Sequence, residues 1–204
     1  MERTEFLRKV RESLGRTNSP PLPLPRWQPP SHLFFEDLEE RTRVFRQQAT
    51  DIGVTVHQVE TREEARKGVQ RLVSEMGWTG VAAIRALWWE GLKDLWTDNA
   101  ATAAFGLDEA QWALAETGTL VIETGGNRRR DVSSLPPAVG FFLPRSKILS
   151  RLTDLCRKFT VATAPIPVCI TLISGPSQTG DIEGVLTREV HGPGEVHVWV
   201  IGDE

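Results

Sequence analysis

The segment Val54-Thr55-Val56-His57-Gln58-Val59 alternates apolar and polar residues, and Val81-Ala82-Ala83-Ile84 is a short apolar run. Between them lies one amphipathic stretch: Thr61 and Glu64 have capping-box spacing, Ala65, Val69, Leu72, Val73 and Met76 share a face, and Gly77 ends the pattern. Strand, helix, strand at this spacing is the signature of a β-α-β unit and hence of a parallel sheet. The rest of the chain continues the alternation. Leu120 to Ile122, Ala138 to Leu143, Val168 to Ile173 and Val196 to Val200 read as strands. Phe34, Leu38, Phe45 and Ala49 mark a helix within 31–50, and Ser146 caps another that carries Ile148, Leu149, Leu152, Leu155, Cys156 and Phe159. Residues 185–190 extend as a strand or an irregular segment. The sum is an α/β domain on a mostly parallel sheet, with Val168 to Ile173 as a buried central strand.

Two stretches fall outside that domain pattern. Residues 3–14 place Phe6, Leu7, Val10 and Leu14 at helical spacing, a helix too short to be stable alone. Asn18 to Pro30 is dense in proline and reads as an extended, semi-rigid linker, or alternatively as a proline-motif ligand. The chain thus divides into an N-terminal helix with its linker, 1–30, and an α/β domain, 31–204. The run Leu87-Trp88-Trp89 with Leu92, Leu95 and Trp96 also has helical spacing. It predicts packing anchors in the core or at an interface.

Composition excludes several classes. A net charge of −3 argues against a general nucleic-acid binder. Two cysteines, Cys156 and Cys169, are too few for a disulfide framework or for a four-cysteine iron–sulfur cluster on this chain, and both are expected as buried thiols. No apolar run approaches a bilayer span, and Met1 to Glu5 has no signal-peptide core, so a cytoplasmic location is expected. No Gly-x-Gly-x-x-Gly dinucleotide fingerprint is present, and no metal-ligand cluster is expected.

The chemistry-bearing stretch is Ser174-Gly175-Pro176-Ser177-Gln178-Thr179-Gly180-Asp181-Ile182-Glu183, placed directly after a strand. Ser174, Ser177 and Thr179 supply hydroxyls, Gly175 permits unusual backbone angles, and the loop amides can face an anion. Loops at the carboxyl ends of strands are where open α/β sheets bind ligands. The same residues equally make a polar turn that satisfies its own backbone. Arg128, Arg129 and Arg130, beside Gly125 and Gly126, suit a carboxylate or phosphate clamp or a solvated loop tip. Asp181, Glu183, Glu116 and His191 are the candidate bases. Against that, Asp181 and Glu183 also suit helix caps, and His191 before Gly-Pro-Gly suits a turn.

Three segments together resemble a known family: Ala115-Glu116-Thr117-Gly118-Thr119-Leu120-Val121-Ile122, Ile173 through Leu186, and Val190-His191-Gly192-Pro193-Gly194-Glu195-Val196-His197-Val198, with Ser134-Leu135-Pro136-Pro137 between them. The chain resembles the LUD-domain family of lactate utilization proteins, in its short, cluster-free C type. Gly180 and Gln178 stand where that family often has Ala and Arg, and the second departure removes a guanidinium. The resemblance implies a fold like the NagB/RpiA/CoA-transferase group, an open Rossmann-like sheet with helices on both faces. It also implies a part in oxidising L-lactate to pyruvate beside companion proteins that carry iron–sulfur clusters. Thr117, Gly118, Thr119, Arg128, Ser174, Gly175, Ser177 and Thr179 are then the expected contacts of a small carboxylate or phosphate. A stand-alone enzyme of the CoA-transferase or sugar-phosphate isomerase kind, with Glu183 as nucleophile, is the alternative; a small-anion-binding module is another.

Overall fold

A computed structural model of the chain describes residues 3–15, 35–87, 89–125, 129–161, 167–180, 186–188 and 192–202. The chain divides into two units, Met1–Pro30 and Ser31–Glu204. The first contains α1 (Arg3–Ser13), where Arg8 bridges Glu5 at 2.8 Å and Glu12 at 2.6 Å along one exposed face.

In the second unit the order is α2 (Leu38–Asp51), β1 (Thr55–Val59), α3 (Arg62–Glu75), β2 (Val81–Ala83), β3 (Phe105–Glu109), β4 (Trp112–Leu114), β5 (Thr119–Thr124), β6 (Ala138–Pro144), β7 (Ile148–Leu149), α4 (Leu152–Val161), β8 (Cys169–Ile173), β9 (Gln178–Gly180), β10 (Leu186–Arg188) and β11 (Glu195–Ile201). Five strands form one parallel sheet in the order β1-β11-β6-β3-β2. A second sheet, β7-β4-β5-β8, pairs β5 antiparallel to both its neighbours, and β9 and β10 form a separate antiparallel pair. This is an α/β fold, as the strand–helix alternation predicts.

The helices start where polar caps permit. Asp37 accepts from the Glu40 amide at 3.1 Å, and Thr61 Oγ1 accepts from the Glu64 amide at 3.2 Å. Glu64 completes the second cap by accepting from the Glu60 amide at 2.9 Å, one residue ahead of the usual capping-box partner.

Side-chain alternation along β6 and β11 sorts the core into two faces. Val139, Phe141, Leu143, Val196, Val198 and Val200 pack with Phe45 and Ala49 of α2 and with Ala113, Leu120, Ile122 and Ile148 of the second sheet. Ala138, Phe142, Trp199 and Ile201 face the other way, onto Ala65, Val69 and Val73 of α3. The second sheet in turn gives its outer residues Leu114, Val121 and Leu149 to Leu155 of α4.

Four details depart from the sequence expectation. The strand at 169–173 lies in the second sheet next to β5, with Val168 88% exposed and Leu172 47% exposed, so it is neither buried nor part of the parallel sheet. The tryptophan-rich stretch forms no α-helix but two short 3-10 turns, Arg85–Leu87 and Glu90–Leu92. Leu95 and Thr97 hydrogen-bond to both sides of Val81, which extends the sheet edge instead. Its packing role holds: Leu87 and Leu92 are buried, and Trp89, Leu95 and Trp96 pack on the same cluster. Ile148 and Leu149 pair with β4, so α4 begins only at Leu152. Finally, Cys156 is exposed and Cys169 half-buried, so neither is the buried thiol expected.

A histidine pair sits on the α3 face. His57 Nε2 lies 3.3 Å from His197 Nδ1, and His57 stacks on Trp199 at 4.6 Å. One nitrogen of that contact must lack a proton, so the pair cannot be doubly charged in this geometry. Burial pushes both imidazoles below their usual value; the charge of His197 adds to the effect on His57, and Glu195, 3.6 Å from His197 Nε2, opposes it on His197. Depressed folded values mean that the unfolded chain takes up protons first as pH falls below about 6.5. The contribution of the pair to stability is therefore constant well above that point and decreases from there down to the folded pKa values. The slope is at most about 1.4 kcal/mol per pH unit for buried His197, and less for His57, which solvent screens. Urea melts at about pH 7.5 and about pH 5.5 should show a lower midpoint at the acid end that flattens in His57→Gln/His197→Gln. Equal midpoints in the native chain would contradict this.

Candidate functional site

The loop after β8 does line a cavity, of about 240 Å³. Val139 and Val196, at the amino ends of β6 and β11, form its apolar floor. Thr171 to Gly175, Ser177, Gly192 and Pro193 form one wall, and Arg130, Ser133 and Ser134 the other. It therefore lies between the two sheets at the amino end of the parallel one. The rule that places ligands at carboxyl ends does not account for it, because β8 is not a parallel strand.

Two glycines hold this wall in place by letting it approach α2. Gly118 has φ of +66°, and a Cβ there would lie 2.6 Å from Ala49 Cα and closer still to the Ala49 amide. Gly175 has φ of +89°, and its Cβ would collide with the carbonyl of Ile52. Pro176 packs over Gly53 beside it. The turns before β5 and after β8 thus clasp the carboxyl end of α2, which aligns their hydroxyls. Thr117 Oγ1 lies 2.7 Å from Thr119 Oγ1, and Thr119 Oγ1 2.8 Å from Ser174 Oγ. Ser177 fixes the far side through its amide, which donates to the Pro193 carbonyl at 2.8 Å.

The opposite wall turns on a 3-10 turn, Asp131–Ser133. Ser133 and Ser134 both donate their hydroxyls to the Arg130 carbonyl, at 3.2 Å and 2.9 Å. Arg129 is committed to structure. Its guanidinium hydrogen-bonds both oxygens of Asp131 and the Asp98 carbonyl, and the first of these holds the Asp131 carboxyl below its usual range. Arg130 instead lines the cavity, is exposed, and forms no ion pair among the described residues.

The structure therefore brings together Thr117, Thr119, Ser174, Gly175 and Ser177, with Gly118 as the packing element behind them. Thr179 lies in β9, opposite Thr187. Glu116 does not face the hydroxyl group: its Oε1 accepts from the Leu152 amide at 2.7 Å and caps α4. Asp181, Glu183, His191 and Arg128 lie outside the described residues. Ser133 and Ser134 are the additions; Arg130 belongs to the arginine run that the sequence offered as a clamp, but sequence alone did not separate its members. Chemically, the described lining offers one guanidinium and several hydroxyls, which suits binding a small anion. It holds no carboxylate or imidazole to act as a base. Among the described residues no group of three His, Cys, Asp or Glu is placed to hold a metal, and no helix is long and apolar enough to cross a membrane.

Comparison with known proteins places the chain in a family. The LUD domain family matches residues 79–201. Lactate utilization protein C of Anoxybacillus flavithermus is 30% identical over 97% of this chain and 98% of its own length. An Escherichia coli protein named YkgG, described as uncharacterized, is 30% identical over 98% of both chains. The crystal structure of a DUF162 family protein from Deinococcus radiodurans covers 81% of this chain and 99% of that one, with a TM-score of 0.59 at 18% identity, a likeness of fold. With the family model matched over more than half of the chain and relatives matched over nearly their whole length, this chain belongs to the LUD domain family.

Proposed function

We propose that this chain acts in the utilization of L-lactate, in the cytoplasm, as a subunit without a redox centre that binds a small carboxylate or phosphate between Arg130 and Ser174. The observation that carries the reading is the match to lactate utilization protein C across nearly both full lengths. The cavity supports the anion: a guanidinium free of ion pairs among the described residues shares its lining with the hydroxyl-bearing Ser174 and Ser177, and Thr119 holds the Ser174 hydroxyl from behind. Oxidation of L-lactate to pyruvate breaks one C–H and one O–H bond and releases two electrons and two protons. In this reading the electrons pass to companion iron–sulfur proteins, with Asp181, Glu183 or His191 as candidates to take the hydroxyl proton.

The test is L-lactate-dependent dye reduction in extracts of a strain lacking only this gene. Activity should vanish, return with the wild-type chain, and return poorly with Arg130→Gln. That variant should weaken anion binding about 10–100-fold. Its melting temperature should not change, because the side chain is exposed and holds no ion pair among the described residues. Unchanged oxidation in the deletion strain would defeat the role. Full rescue by Arg130→Gln would remove the cavity from it.

A further inference from the structure

A second cavity, also of about 240 Å³, lies at the opposite end of the parallel sheet. Glu109 and Pro144, the last residues of β3 and β6, stand at its edge, with Gln111, Trp112, Glu123 and Lys147 around it. This is the carboxyl end of parallel strands, where open α/β sheets take their ligands. No residue of the first site contributes to it.

The walls are fixed by their own hydrogen bonds. Gln111 donates to the Glu109 carbonyl and accepts from the Glu123 amide, each at 2.5 Å. Glu109 is neutralised by Arg62 at 2.8 Å. Trp112 Nε1 donates to Glu123 Oε1 at 3.0 Å, which leaves Oε2 without a partner among the described residues. The positive charge is held differently. Lys147 Nζ stands 4.7 Å from the Trp112 ring centroid and Lys158 Nζ 4.3 Å from the same centroid. Neither lysine forms an ion pair among the described residues. An indole face attracts an ammonium through its quadrupole and leaves N–H donors available. Two cations are thus gathered at one ring against a single carboxylate that no cation neutralises.

We propose that this cavity binds a small anion that also carries a hydroxyl, a hydroxycarboxylate or a hydroxyalkyl phosphate. Lys147 takes the anionic group, and Glu123 Oε2 accepts from the hydroxyl. Trp112 is the reporter, since its ring touches the lysine that changes partner. The experiment is a tryptophan-fluorescence titration of the full chain carrying Arg130→Gln, which weakens the first cavity. The probes are L-lactate and glycerol 3-phosphate, with propionate as the carboxylate that lacks a hydroxyl. One of the first two should give a saturable change that Trp112→Phe removes and Lys147→Gln weakens tenfold or more. If lactate is that ligand, propionate should bind less tightly than lactate to the native Glu123 and equally to Glu123→Gln; if glycerol 3-phosphate is, Glu123→Gln should weaken it. No saturable change with either probe up to about 10 mM, a millimolar ceiling for a specific small-anion site, would overturn the proposal. So would binding that Lys147→Gln leaves intact. Dye reduction in the deletion strain reads the whole chain rather than this cavity, so failure of the titration leaves the lactate reading to stand or fall by itself.

Discussion

Gly118→Ala is expected to cost about 3 kcal/mol or more and to lower the melting temperature by about 6–12 °C. Two effects add. The backbone at Gly118 has φ of +66°, which strains any residue with a Cβ by about 1 kcal/mol. The new methyl would also lie 2.6 Å from both Ala49 Cα and the Gln48 carbonyl carbon, and main chain cannot swing aside as a flexible side chain does. Relief requires α2 to move off the second sheet, which opens the contacts of Phe45 and Ala49 in the main core. Gly77→Ala is the control. It has φ of +63° and nothing within 4 Å of the added Cβ, so it should show the backbone strain alone, a shift of about 2–4 °C. Circular-dichroism melts of the two variants separate the terms, and equal shifts would show that α2 does not constrain Gly118. If the clasp on α2 loosens, the hydroxyl row from Thr117 to Ser174 loosens with it, so anion binding at the first cavity should weaken in the same variant.

Trp199→Ala is expected to cost about 3–5 kcal/mol, the range for emptying a large aromatic site in a core. Trp199 is 1% exposed on β11, an inner strand of the parallel sheet. The site is built around it. A Cβ at Gly68 of α3 would lie 2.5 Å from its Nε1, and a Cβ at Gly140 of β6 would lie 2.7 Å from its Cζ3. Two glycines on facing elements thus leave the volume that the indole fills, with Phe142 meeting it edge-on at 6.1 Å. Truncation leaves a void that neither glycine can close. Trp199→Phe should cost clearly less, because a ring still spans the gap. Urea melts give the comparison through the midpoint at unchanged slope. A loss below about 1 kcal/mol for Trp199→Ala would mean that α3 collapses onto the sheet and fills the space.

Much of the architecture was legible before any coordinates. Strand β1, helix α3 and strand β2 follow directly from period-two and helical spacing with a capping Thr61, and β6 and β11 from their apolar runs. Four strands escaped, β3, β4, β7 and β9, and β3 is the one in the parallel sheet. Phe105-Gly106-Leu107-Asp108-Glu109 has neither alternation nor a β-branched residue, yet it sits buried between β2 and β6. Gly106 is required there because a Cβ would collide with the Val132 carbonyl, a contact made across 26 positions of sequence. Asp108 is only 1% exposed, its carboxylate turned back onto the Glu109 amide at 2.7 Å. Both residues weaken a strand pattern for reasons that lie elsewhere in the chain. The strand at 169–173 shows the converse. Its apolar run reads as central, but it pairs at the rim of the second sheet and shows Leu172 to solvent.

The candidate site divides the same way. Residue type and order mark Thr117, Thr119, Ser174, Gly175 and Ser177 as one group, because hydroxyls beside glycines suit close approach to an anion. Of the two described arginines in the run, the turn at Asp131–Ser133 ties Arg129 to Asp131 and leaves Arg130 along the cavity, a difference that no local pattern marks. Sequence by itself determined the α/β class, the parallel unit at its start, the family and the hydroxyl-bearing loop, since these rest on local periodicity and on motifs contiguous in the chain. Only the tertiary structure decided that the loop opens at the amino end of the parallel sheet, that Glu116 caps α4, and that Trp112 gathers two lysines at the other end. Those outcomes depend on which strands pair and on which backbones touch, and both are settled by packing between segments far apart in sequence.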